Sequence, residues 1–178
     1  LNITGTSAEN LIIRRNTAPG VNFCIFGVGN NQGGTIIVRL NGLTISNGAG
    51  EQFSGNVGGI SSFGLTSLIL ERSVVSNNSG DSVGGISNGG TQLQLADTTV
   101  KSNTGGTVGG VLNVIGETLL LNSAVSNNTA QLTCGTGGIL NNNGKLTIWN
   151  STISGNIAQG AASMSAFNIG GVSSGGSQ

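Results

Sequence analysis

From Gly33 onward the apolar residues fall into pairs two positions apart: Val38 and Leu40, Leu68 and Leu70, Leu93 and Leu95, Leu146 and Ile148, with Thr118 and Leu120 in the same phase. Residues two apart in a strand share a face. These positions are therefore expected to point inward, with Arg39, Ile69, Gln94, Leu119 and Thr147 outward between them. A few residues later, Ile45, Val75, Val100, Val125 and Ile153 make a second inward column behind the outward Thr44, Val74, Thr99, Ala124 and Thr152. A third column, Ile60, Ile86, Val111 and Ile139, directly follows the pairs Gly58-Gly59, Gly84-Gly85, Gly109-Gly110 and Gly137-Gly138. Asn78, Asn103, Asn128 and Asn156 close the units at spacings of 25, 25 and 28 residues. A period in the twenties that returns the same residue type at the same phase marks a solenoid. The pattern predicts an all-β fold, a parallel β-helix (β-solenoid) of about 25 residues per coil with three short strands per coil. An antiparallel sandwich would need hairpin turns and would not demand this phase.

The recurring small and amide residues belong at the bends. Glycine tolerates positive φ and close backbone approach, so the glycine pairs are expected at one corner of every coil. Asparagine tolerates left-handed φ and can hydrogen-bond to the asparagine of the next coil, so Asn78, Asn103, Asn128 and Asn156 are expected as a structural ladder at another corner. The excursions GAGEQFSGNV and TAQLTCGT leave from the same corner. Loops on one face of a solenoid often form its binding face, which singles out Glu51, Gln52 and Phe53. The chain reads as one domain (1–178): atypical N-terminal capping coils over 1–32, regular coils over 33–160, and over 161–178 the start of an incomplete coil. Asn168-Ile-Gly-Gly-Val repeats the opening of a unit without the following Leu-x-Leu. That reads as a fragment of a longer protein or as a subunit completed by another chain.

Composition narrows the chemistry. With 33 Gly and many β-branched residues a helical protein is excluded, while regular aliphatic columns supply the burial that disordered glycine-rich chains lack. Six basic and six acidic residues balance, so capture of nucleic acid or of an anionic membrane by a strong positive field is not expected. A 7% charged fraction and zero net charge remove one barrier to self-association. No apolar run is long enough for a membrane helix, so no transmembrane segment is expected. Cys24 and Cys134 are far apart along the stack and are expected as two free, buried thiols, too few for a metal site. No cofactor is called for.

The unit GGILNNNGKLTIWNSTISGN at 137–156 resembles repeats of bacterial surface and secreted proteins of the right-handed parallel β-helix, pectin-lyase-like group, and is distantly similar to polymorphic outer membrane protein repeats. Ser73, Thr98, Ser123 and Ser151 stand where the latter repeats carry Phe. The resemblance covers 33–175. It implies an extracellular or cell-surface location in a bacterium, and adhesion or self-assembly as function. Enzymes of that group need calcium-binding acids with a basic residue, or paired carboxylates. Of the acids here only Glu71 and Asp97 approach on adjacent coils, and Asp97 stacks beside Arg72 as an expected surface ion pair; there is no His. The expectation is a non-catalytic structural or adhesive β-solenoid that stacks end to end into fibres or continues into a longer chain. Two alternatives stay open. One is a carbohydrate-binding or polysaccharide-degrading β-helix, with a polysaccharide or host surface as partner and Trp149 placed outward to stack on sugar. The other is an ice-binding face built on the column of Thr44, Thr99 and Thr152.

Overall fold

The computed structural model describes residues 1–16, 22–30, 33–50, 56–160 and 168–175. It is an all-β parallel solenoid of about 5 turns, with about 28 residues per turn. Every strand pairing among the described residues is parallel, and successive coils add one strand to each sheet. We name the sheets in the order in which the chain visits them. Sheet I contains Asn2–Thr4, Ile36–Asn41, Thr66–Glu71, Gln92–Ala96, Glu117–Leu121 and Lys145–Trp149. Sheet II contains Ile12–Arg14, Thr44–Ser46, Val74–Ser76, Thr99–Lys101, Ala124–Ser126 and Thr152–Ser154. Sheet III is built from the two-residue strands Ala49–Gly50, Ser79–Gly80, Thr104–Gly105, Thr129–Ala130 and Ile157–Ala158. Sheet IV contains Phe26–Asn30, Ile60–Gly64, Ile86–Gly89, Val111–Asn113, Ile139–Asn142 and Val172–Gly175.

The three expected strands per coil are sheets I, II and IV, and sheet III is a fourth. Its strands are too short and too poor in aliphatic residues to alternate visibly. The columns fall in the register that the sequence spacing demands: Leu68 pairs with Leu93, Val75 with Val100, and Ile86 with both Ile60 and Val111. Between Asn78 and Asn103 the coil repeats after 25 residues; it lengthens to 28 and 30 where loops are inserted. Residues before Gly33 supply the first strands of sheets I, II and IV, and Val172–Gly175 supplies the last strand of sheet IV.

One continuous core runs along the axis. Leu40, Leu68, Leu70, Leu93, Leu95 and Leu120 from sheet I meet Ile45, Val75, Val100 and Val125 from sheet II and Ile60, Ile86, Val111 and Ile139 from sheet IV. Full burial of each such side chain stabilises the fold by about 1.5–3 kcal/mol. A second small cluster, Val57, Val83 and Val108, fills the narrow side between sheets III and IV, with Cys24, Leu112 and Leu140 packed against it.

The glycine pairs sit at this narrow corner, but none of the eight has positive φ. Close approach alone requires them. A Cβ on Gly84 would lie 2.6 Å from the Thr104 backbone, and one on Gly110 would lie 2.5 Å from the Gly138 carbonyl oxygen. A side chain there would occupy the space of the neighbouring coil.

Candidate functional surfaces

The interior carries the most ordered polar chemistry. Asn78, Asn103 and Asn128 are buried, and Asn156 is half-buried. Asn78 Nδ2 donates to Asn103 Oδ1 at 3.0 Å, Asn103 Nδ2 to Asn128 Oδ1 at 3.0 Å, and Asn128 Nδ2 to Asn156 Oδ1 at 2.9 Å. Each Oδ1 also accepts the backbone N–H of the preceding asparagine, as from Asn78 and Asn103, and each Nδ2 also donates to a backbone carbonyl, such as Ile45 or Val75. Satisfying buried amides this completely removes the penalty of about 1–3 kcal/mol that an unpaired polar group would incur. The ladder is therefore where the sequence places it, while its expected backbone conformation is not. The left-handed residues are those just before it, Asn47, Asn77, Ser102, Asn127 and Gly155. They make the bend, which turns the ladder side chains inward.

Two further tracks were not anticipated. Ser62 Oγ donates to Asn88 Oδ1, Asn88 Nδ2 to Asn113 Oδ1 at 2.8 Å, and Asn113 Nδ2 to Asn141 Oδ1 at 2.7 Å, all within the core side of sheet IV. The clue was present, since these asparagines recur at the same spacings of 25 and 28 residues. The third track uses hydroxyls: the backbone N–H of Thr98 donates to Ser123 Oγ at 3.1 Å and that of Ser123 to Ser151 Oγ at 3.0 Å. Ser73 and Thr98 continue it toward the N terminus. The Ser and Thr residues noted in the sequence thus link coil to coil.

On the outer faces the proposed contact residues are dispersed. Trp149 is 69% exposed on sheet I, in one column with Asn41, Glu71, Ala96 and Leu121. The Cys134 insertion does not cover it. Thr44 and Thr99 are half-buried on sheet II and Thr152 is exposed. Their column is interrupted by Val74 and Ala124, and in the neighbouring column Ser46 and Ser76 are buried while Lys101 stands exposed. An ordered lattice would meet no regular array of hydroxyls there. Glu51, Gln52 and Phe53 lie outside the described residues.

The charged groups also depart from expectation. Arg72 and Asp97 stack at the corner between sheets I and II, both with left-handed backbone (φ 45 and 49), yet they form no ion pair. The ion pair among the described residues is Lys145 to Glu117 at 3.3 Å, between directly opposed positions of paired strands. Strand opposition brings side chains within reach, and a corner turns them apart. Cys24 and Cys134 are both free, but only Cys24 is partly buried; Cys134 is exposed, because its insertion loop lies on the surface. Burial raises the Cys24 pKa above its usual value, and backbone groups of Phe26 and Ser61 offset part of that shift. Among the described residues no three His, Cys, Asp or Glu side chains stand together as metal ligands. No described helix is long and apolar enough to cross a membrane.

No family model, curated protein or solved structure matches the chain. What the geometry establishes is the class: a parallel β-solenoid with amide and hydroxyl tracks through its core.

Proposed function

We propose that the chain is a non-catalytic structural and adhesive β-solenoid that works by adding coils, in the manner of the pectin-lyase-like surface repeats that its 137–156 unit resembles. The observation that carries this reading is the dependence of each coil on its neighbours: the aliphatic columns are buried, and the asparagine amides paired, from one coil to the next. A strand edge backed by apolar side chains is a template for further pairing. A next coil would extend the hydrophobic columns and accept the ladder's forward hydrogen bonds, whether it comes from the same polypeptide or from another copy. The extracellular or cell-surface setting belongs to this proposal and rests on the repeat resemblance.

Sedimentation velocity and electron microscopy across a range of concentrations test the stacking. The unmodified chain is expected to form elongated assemblies of increasing length, and Ile153→Lys, which places a charge in the terminal inward column, is expected to shift it to monomers. Discrete monomers of the unmodified chain at every concentration would overturn end-to-end assembly.

A further inference from the structure

Sheet IV and the corner that joins it to sheet I carry no charge. None of the six strands of sheet IV contains Asp, Glu, Lys or Arg. The corner is equally neutral, with Leu65, Gly90, Ile115 and Asn143 at equivalent positions of successive coils. Apolar side chains nonetheless stand in water there: Phe63 is 43%, Leu65 44% and Ile115 67% exposed.

Two of these side chains wall a hollow. Leu65, Gly89, Gly90 and Ile115, together with Gly33 and Gly64, line a cavity of about 680 Å³. Ser67, Gln92 and Glu117 are paired in register, which sets Leu65, Gly90 and Ile115, two residues before each, on three successive coils. Leu65 and Ile115 therefore stand about 9.6 Å apart along the axis with only a glycine between them. The floor of the hollow is backbone. A Cβ on Gly90 would lie 2.6 Å from the Thr66 carbonyl oxygen, so no side chain fills the space from there. Gly89 does not have positive φ, and a Cβ on it would lie 3.3 Å from the Ser62 carbonyl oxygen.

The chain itself shows what such a floor accepts. Gly29, Phe63 and Gly89 are paired side by side on the outer face of sheet IV, and the Phe63 ring lies where a Gly29 Cβ would stand. An aromatic ring can cover the glycine of a neighbouring strand because a residue without Cβ lets it approach the flat backbone. Phe63 turns its ring to Gly29, so Gly89 on its other side is left uncovered at the edge of the hollow.

We propose that this hollow binds an uncharged planar aromatic molecule, its ring seated on Gly89 and Gly90 between Leu65 and Ile115 as the Phe63 ring is seated on Gly29. The cavity has the size and the largely apolar lining of a small-molecule site. Its walls offer an ion no charged partner, so the cost of stripping water from a charged ligand is not recovered there. A saturated ring of similar size is puckered and makes fewer close contacts with a flat peptide floor. The site lies on the flank of the solenoid and does not depend on coil addition.

Binding of indole, cyclohexanol and benzoate to the full chain is followed by amide NMR, which reads the glycine resonances directly. Indole is expected to shift the amides of Gly64, Gly89 and Gly90 and to saturate at a concentration on the order of 1 mM, as suits so small a ligand. Cyclohexanol and benzoate are expected to bind at least fivefold more weakly. The double substitution Leu65→Ser, Ile115→Ser removes both exposed walls and is expected to weaken indole binding at least tenfold. Trp149→Ser, which removes the exposed aromatic ring of sheet I, is expected to change it less than twofold. Amide dispersion checks that each variant is folded, and Ile115→Ser alone, expected to weaken binding several-fold, replaces the double variant if that one misfolds. The proposal is overturned if indole shifts none of the three glycines, if cyclohexanol or benzoate binds as tightly as indole, or if Trp149→Ser loses as much binding as the wall variant.

Discussion

Leu95 and Ile148 occupy the same inward column two coils apart, yet Leu95 is fully buried and Ile148 is 40% exposed. Their strands have the same shape and their sequences the same phase. The difference is that Leu95 has a coil on either side, whereas Ile148 has one only toward the N terminus among the described residues. Asn103 and Asn156 repeat the contrast: the first both gives and receives along its track, and the second receives from Asn128 and gives only to the Val125 carbonyl. In a solenoid, stability resides in the interface between neighbours as much as in the repeat itself.

Substitution at matched positions can break this comparison. Leu95→Ala is expected to cost about 3–5 kcal/mol through lost burial and a residual cavity. Ile148→Ala is expected to cost about 1 kcal/mol, because much of its surface is already in water. Urea unfolding midpoints read both, and equal losses would mean that the last coil is as well covered as the middle. Next in size, Asn103→Ala removes the acceptor shared by the Nδ2 and backbone N–H of Asn78, leaving Asn78 Nδ2 its bond to the Ile45 carbonyl, and removes the donor to the Val75 carbonyl, a loss of about 2–4 kcal/mol. Asn156→Ala is expected to cost about half as much, measured in the same way.

The smallest effect contrasts the two thiols. Exposed Cys134 is expected to react with a maleimide at least tenfold faster than Cys24 at neutral pH. Because burial raises the folded pKa of Cys24, the unfolded thiol ionises first as pH rises. The Cys24 contribution to stability is therefore complete below about pH 8.5 and declines as pH climbs through the raised folded value. Cys24→Ala should abolish that part of the decline; an unchanged pH profile would show that Cys24 is not its source.

Much of this architecture was legible because aliphatic side chains report their phase. Val38, Leu68 and Leu93 can only share a face if the coils stack in register, so three sheets and the core followed from spacing. Sheet III escaped notice because Ser79–Gly80 and Thr104–Gly105 bury almost no aliphatic side chain and are two residues long. The track of Asn88, Asn113 and Asn141 was hidden among many other asparagines, and it begins at Ser62 where its period would otherwise show. Trp149 could be placed outward from its column, but the pairing of Glu117 with Lys145, and not of Arg72 with Asp97, required knowing which positions bend.

The asparagine tracks also confer a direction. In both, the amide of each coil donates to the oxygen of the following coil, never the reverse. Their dipoles point the same way along the axis, and the first oxygens are already filled within the chain, Asn78 Oδ1 by the Gly48 N–H and Asn88 Oδ1 by Ser62 Oγ. The solenoid is therefore polar along its length, and a coil stacked on it in the reversed sense would set donor against donor.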